Sequence, residues 1–458
     1  MKKETGVKGY SLLNVVLVFT IIIAIRGFLI DFSNTYTYGG VDLRNRVVGA
    51  RLMLEGLDPY RFKWSEGYPD TLLDPIDNPL TPVNRVSVPP TVLMLHVPLA
   101  GIKYSIQRFL WLFAQWLLLL TSLFFLASSS GDKEKKKAIW ATGLFISALP
   151  IWRFHVERGQ IYILYVFLVS FSYWLSKRDW KHGLLAGGLV LGFTMALRPT
   201  IAVFSLPLIF QRKWKFLAGA ATGLLVCLLL SVMLFGASVW SSYLDAMPYH
   251  AKANLGEINL DAYNPGYPPV VDGMNNLTSA MGIPYNNSSL QFVVSYFIKI
   301  NLSSNAMISL ALIVLMLACL YFYSNRHRRF SLSAIFLSGS VLLLLVEYFV
   351  PAIKSFYMEI VWILPASMAI IQKERLGEVD SRRIKPAFLL LFLGLFYNTV
   401  IYSNLHSLLI SDYLIFLFFA IVSYCVNTAQ PLERDSFSQA QAVSHSTLGN
   451  IVDGSEQG

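Results

Sequence analysis

Apolar residues run in long blocks along this chain, and short polar or basic stretches separate the blocks. The pattern predicts membrane-crossing helices near residues 11–30, 107–128, 138–153, 160–176, 183–197, 200–210, 216–236, 304–323, 331–349, 355–372, 386–405 and 408–426. A span of hydrocarbon takes about 20 apolar residues. The expected fold is therefore an all-α polytopic membrane bundle of about twelve spans. The polar stretches 31–106 and 237–303 are expected as extracytoplasmic loops forming a cap. Both keep Trp, Tyr and Leu, as ordered segments do, and an amphipathic piece lies near 41–56.

Residues 183–210 depart from the regular pattern. They lie between two basic loops and so must cross twice or not at all, yet each half is short. The first half reaches only about 22 Å at 1.5 Å per residue. The break falls at Arg198-Pro199. Proline cannot continue a helix and pushes its predecessor toward extended geometry. A hairpin of two short helices is expected, with Arg198 at membrane depth near the outer face. Irregular backbone at that depth must line a cavity or be buried in protein.

Charge sets the expected orientation. Basic residues cluster at Lys2, Lys3 and Lys8, then at Lys133 to Lys137, Lys177 to Lys181, Arg212 to Lys215, Arg326 to Arg329 and Lys373 to Lys385. Positive loops stay cytoplasmic, and the alternation then works with no loop out of place. Residues 1–426 read as one transmembrane catalytic domain and 427–458 as a disordered cytoplasmic tail. The first apolar run lacks a small-residue cleavage site and reads as a span rather than a signal peptide. Both termini are expected in the cytoplasm of a multi-pass protein of the cell (inner) membrane.

Composition agrees with the pattern. The chain has 458 residues, 55% hydrophobic and 14% charged, where a soluble domain carries about 25% charged. The net charge of +10 sits in the loop clusters and marks topology, so no nucleic-acid partner is expected. Cys227, Cys319 and Cys425 each lie in an apolar run, away from one another and from any His. They give no disulfide framework and no metal motif.

Topology gathers scattered polar residues on one face: Asp42, Arg44 and Arg46; Asp58; Arg153, His155, Glu157, Arg158 and Gln160; Arg198; Asn275 and Asn276; Lys354 and Tyr357. Ionisable groups at membrane depth point to function. Acidic and basic groups together suit an anionic substrate with a reactive hydroxyl. Arginine forks onto phosphate oxygens, and a carboxylate in a dry cleft deprotonates a weak hydroxyl nucleophile. Nucleotide sugars are cytoplasmic, so an outward site favours a lipid-linked donor.

Plainer roles compete at each position. Asp42 could cap a helix or pair with Arg44 or Arg46. Asp58 precedes Pro59 and suits a turn. Lys354 and Tyr357 suit headgroup anchors, and Arg198 could snorkel. His155 has no second ligand at a zinc-like spacing, so no metal is expected.

The chain resembles the membrane glycosyltransferases of the C-type fold, most closely glycosyltransferase family 87. The residues that carry the likeness are Asp42 followed by Gly56-Leu57-Asp58-Pro59-Tyr60, then Pro89-Pro90 before an apolar run ending at Pro98. Gly159-Gln160, Arg198-Pro199 before the Arg212–Lys215 patch, and Asn275-Asn276-Leu277-Thr278 follow in order. The family often has Tyr before its Pro-Pro pair, Asn two positions after Gly-Gln and Lys before the hairpin Pro; this chain has Ser87-Val88, Tyr162 and Arg198.

The resemblance implies transfer of a hexose, most often mannose, from a polyprenyl-phosphate sugar to a lipid or cell-envelope glycan acceptor. It implies Asp42 as general base of an inverting displacement and Arg198 at the donor phosphate. Arg158, Arg153 and Lys354 are further phosphate candidates. Asp58, His155, Glu157, Gln160, Asn275, Asn276 and Tyr357 are substrate-binding candidates. The donor serves as substrate, no cofactor is expected, and membrane lipids are the other partners. A transporter or flippase of lipid-linked or small anionic substrates is the competing class, although the chain lacks the related halves that transporters often show.

Overall fold

The computed structural model describes residues 12–37, 39–74, 77, 81–254, 287–349, 354–379, 381–399 and 405–429. Among these residues every regular element is helical. The chain opens with α1 (Leu12–Thr37), turns into α2 (Val41–Leu54), and crosses a long loop to the short α3 (Pro90–His96). Next come α4 (Tyr104–Ser128), α5 (Lys133–Ile146), α6 (Pro150–Glu157), α7 (Tyr162–Ser176) and α8 (Gly183–Leu197). After a 3₁₀ turn at Pro199–Phe204 follow α9 (Ser205–Phe210), α10 (Trp214–Phe235) and α11 (Ala237–Asn254). The second half holds α12 (Ser304–Ser324), α13 (Leu332–Phe349), α14 (Ile363–Ile371), α15 (Ser381–Thr399) and α16 (Leu405–Thr428).

Six of these helices are long and apolar enough to cross a membrane: α1, α4, α10, α12, α13 and α16. A seventh span results if the pair α6–α7, bent by 108°, counts as one. The expected count of about twelve is not confirmed, because several of the apolar runs form shorter or broken helices. The run 138–153 is not one helix, because α5 stops at Ile146 and Pro150 opens α6 at its first position, where a missing N–H costs nothing. The run 355–372 begins as a 3₁₀ turn, Phe356–Trp362, before α14. The apolar part of α15, Ile384–Thr399, falls short of a span.

Burial sorts the helices into a core and a rim. In α13, 83% of the apolar window is buried, against 17% in α1 and 11% in α12. The rim helices present large apolar side chains outward, among them Leu29, Met233 and Leu312. Such surface is costly in water and at home in lipid. Helix α8 lies on α10 with almost no space between them. A Cβ on Gly188 would stand 2.1 Å from the Phe216 carbonyl oxygen, and one on Gly192 1.9 Å from that of Ala220. Small residues at four-residue spacing let membrane helices approach in this way.

The two long polar stretches meet. Tyr60, Val83, Val86 and Leu93 from the first pack with Ala246 of α11, which belongs to the second. Asp58 accepts hydrogen bonds from the Tyr60 amide, at 2.8 Å, and from the Ser242 hydroxyl. Helix α2, expected as an amphipathic piece, is buried on nearly every side, including Asn45 and Arg46. The sequence pattern misled here because the buried polar residues of α2 face a cleft and other protein groups rather than water. Asn275, Asn276 and residues 430–458 of the tail lie outside the described residues.

Candidate active site

A cleft of about 530 Å³ opens where the two long polar stretches meet the helices. Its walls come from α2, the segment before α3, the start of α7, the Arg198 hairpin, α11, α13 and the 3₁₀ turn before α14. Each wall is placed by a local feature of the sequence.

Helix α2 is anchored to the bend between α6 and α7. Gly40, the N-cap of α2, adopts a left-handed conformation (φ 79°) that costs glycine little. Its amide donates to the Glu157 carbonyl at 2.6 Å, and the Asp42 amide donates to the Arg158 carbonyl at 3.0 Å. Across the contact, Gly159 also has positive φ (68°), and a Cβ there would stand 2.7 Å from Leu43 Cβ. The two turns are thus locked backbone to backbone, which brings Asp42, Arg158 and Gln160 together.

Arg158 grips the Asp42 carboxylate with two hydrogen bonds, Nε to Oδ2 at 2.7 Å and Nη2 to Oδ1 at 3.1 Å. The Gln160 amide donates to Oδ2 as well. Arg46 donates from Nη1 to the Gly159 carbonyl and from Nη2 to Gln160 Oε1, both at 2.9 Å. Burial pushes the Asp42 carboxyl up, but Arg158, with Arg46 and Arg85 behind it, outweighs burial and holds it below its ordinary value. Asp42 is therefore an ionised carboxylate. Its Oδ1 accepts one hydrogen bond and keeps acceptor capacity toward the cleft.

On the opposite wall Arg198, extended at φ −143° before Pro199, donates Nε and Nη2 to Glu347 Oε1 at 3.0 and 2.6 Å. Its guanidinium carbon lies 4.4 Å from the Tyr162 ring centre and 5.6 Å from that of Tyr165. Tyr357 packs on Tyr162, with ring centres 5.6 Å apart, and also faces Arg158. Tyr243, Met247 and His250 of α11 close the cleft from the cap side.

Of the residues proposed from sequence, Asp42, Gln160, Arg198 and Tyr357 line this cleft, and Arg158 stands behind Asp42. The others stand elsewhere. Arg153 pairs with Asp31 of α1 at 3.1 Å, and the same carboxylate takes the indole N–H groups of Trp116 and Trp152. His155 is fully buried, accepts the Ile163 amide at Nε2 and stacks on Trp152. Glu157 contributes its carbonyl to Gly40 and faces a small void on the far side of that turn. Asp58 is bound in the cap turn. Lys354 is buried with Glu359 and Asp412, bonding the latter at 2.7 Å, and its ammonium lies 4.3 Å from the Tyr348 ring centre. It does not line the cleft. Among the described residues no three His, Cys, Asp or Glu gather closely enough to hold a metal ion.

Sequence reasoning placed Arg46 on this face without giving it a role, and left Arg85, Tyr165, His250 and Glu347 out of the site. Glu347 carried a usable signal, as the lone carboxylate inside the apolar run 331–349. Arg46 lies one helical turn after Asp42, on the same face. For Arg85 and His250 the chain offered no pattern.

No curated protein and no solved structure matches the chain. A family model does match, that of glycosyltransferase family 87, over residues 88–266. The matched stretch runs from Val88 beside the Pro89-Pro90 pair, through Gln160 and Arg198, to α11, and so supplies much of the cleft wall. Asp42, Arg46, Glu347 and Tyr357 lie outside it. The structure is thus a membrane-type helical bundle in which residues 88–266, the stretch similar to the glycosyltransferase family 87 model, wall much of the cleft.

Proposed function

We propose that the chain transfers a hexose, mannose in the first instance, from a polyprenyl-phosphate sugar to a lipid or cell-envelope glycan acceptor. The cleft lies on the extracytoplasmic side of the cell membrane. The observation that carries this reading is the ionised Asp42 carboxylate in a cleft that also holds Arg46, Arg85 and the Arg198–Glu347 pair.

The chemistry is a single displacement with inversion. The acceptor hydroxyl oxygen bonds the anomeric carbon as the bond from that carbon to the phosphate oxygen breaks. The electron pair of the broken bond stays on the leaving polyprenyl phosphate, and the hydroxyl proton passes to Asp42 Oδ1. Arg158 and Gln160 hold the carboxylate so that Oδ1 faces the cleft. Arginines on the cleft wall stabilise the departing phosphate, whose charge grows in the transition state. Tyr162, Tyr165, Tyr243 and Tyr357 give the cleft the aromatic and hydroxyl surface that a sugar ring needs.

The test is a transfer assay with purified protein in lipid, radiolabelled polyprenyl-phosphate mannose and a membrane extract as acceptor. Wild type should form labelled glycolipid or glycan. Asp42→Asn should fold and lose on the order of 10²–10⁴ in rate, the span of a general base. Full activity in Asp42→Asn removes it as base. Sugar moved across the membrane without covalent attachment would make the protein a transporter.

A further inference from the structure

The arginines of the cleft are not equivalent, and their pairing separates them. Arg198 is neutralised by Glu347 at 2.6 Å. Arg158 is neutralised by Asp42 at 2.7 Å. Arg85 faces Asp74 at 3.6 Å, and Asn45 donates to that same carboxylate at 2.9 Å. Arg46 differs. Its two hydrogen bonds go to neutral acceptors, the Gly159 carbonyl and the Gln160 side-chain oxygen. Among the described residues it is in no ion pair, although only 3% of it is exposed.

The carboxylate that acts on Arg46 is Asp42, which Arg158 already grips; a buried cation with only a shared counter-charge is costly, and one that lines a cleft is a place for a ligand's negative charge. From this we infer that Arg46 is the residue that binds the donor phosphate, supplying the one cationic charge of the cleft not already cancelled by a carboxylate. This rests on the proposed transferase reading and refines it. The phosphodiester of a polyprenyl-phosphate sugar carries a single negative charge, which matches a single uncancelled guanidinium.

Placement supports the assignment. Asp42 and Arg46 stand four residues apart on α2, so their side chains share a face about 6 Å apart along the axis. In a displacement the entering and leaving oxygens lie on opposite sides of the anomeric carbon. A base at Asp42 and a phosphate contact at Arg46 would flank that carbon from one rigid helix. Gln160 joins the two, its oxygen accepting from Arg46 and its amide donating to Asp42. The guanidinium has five N–H groups, and two are spent on orienting it. Arg198, held on Glu347 and over Tyr162, then serves as a wall and positioning group rather than as the charge that meets the phosphate.

The experiment compares two probes, farnesyl phosphate and farnesol, binding to the full-length protein in detergent or nanodiscs, followed by intrinsic fluorescence. Wild type should prefer the phosphate. Arg46→Gln should weaken farnesyl phosphate by at least about tenfold, the usual size of a charge-assisted contact. It should leave farnesol within about twofold, and Arg46→Lys should keep most of the preference. Arg198→Met with Glu347→Leu, which removes the pair together, should change the preference by less than about threefold. Equal loss of both probes in Arg46→Gln would mean a structural role and overturn the inference. So would an unchanged preference, or a larger loss in the double variant Arg198→Met with Glu347→Leu. If wild type itself shows no preference for the phosphate, the lipid-phosphate donor falls, and the role of Arg46 falls with it.

Discussion

At the scale of single residues, the pairing of Asp42 with Arg158 sets the acid–base behaviour of the site. A base must be ionised to work, and the arginine grip, outweighing burial, keeps Asp42 ionised below the pH at which an ordinary aspartate, near 3.9, takes up its proton. The acid limb of the kcat/KM profile should therefore lie below pH 4 in wild type. In Arg158→Ala it should move up, because burial then acts without its main opponent. The same sign holds for stability. A lowered folded value stabilises the fold above the unfolded pKa, and that contribution is lost as pH falls through the folded one. An acid limb that stays in place in Arg158→Ala would show that the arginine does not tune the base.

The elements that matter most are the turns rather than the spans. Asp42 faces the cleft because the left-handed turn at Gly40 and the bend after α6 interlock through two backbone hydrogen bonds. Gly159 is the tightest point of that contact. Gly159→Ala would add a Cβ 2.7 Å from that of Leu43 at a positive φ, a strain of about 2 kcal/mol. It should lower the thermal midpoint by several degrees and cut transfer more than it changes donor binding, since it tilts Asp42. A neutral Gly159→Ala in both assays would show that the α2 turn tolerates slack. The break at Arg198 was legible from Pro199 alone, because proline acts on its own neighbours. The fate of 138–153 was not legible, because an apolar run looks the same whether it is one helix or two that meet at a corner.

Across the whole molecule, the Arg198–Glu347 pair ties the hairpin to the most buried span. Its partners are 149 residues apart, and Glu347 Oε2 is buried without a hydrogen-bond partner. Removing one member of a buried pair strands the other at a cost of about 3–5 kcal/mol, whereas an apolar replacement of both is often tolerated. Arg198→Met alone should therefore unfold well below wild type, and Arg198→Met with Glu347→Leu should recover most of the loss. Additive losses in the double variant would mean that the two groups do not stabilise each other. The outward apolar faces of α1, α10 and α12 belong to the same scale. They make the bundle a membrane object whatever its site does.

What the chain determined by itself is what depends on neighbours in sequence. Hydropathy blocks mark the membrane helices, Pro199 and the glycines mark the breaks, and the order of short motifs around Pro89-Pro90, Gly159-Gln160 and Arg198-Pro199 points to the family whose model matches residues 88–266. Asp42 was visible as a candidate because it follows a span and opens a helix. Tertiary structure decided which charges cancel. Arg153, Arg158, Arg198 and Lys354 look alike along the chain, yet each is paired with a carboxylate from a distant segment or a neighbouring turn, and Arg46 is not. Charge at a site is the sum over groups that packing brings within a few ångströms, and local sequence carries no record of that sum.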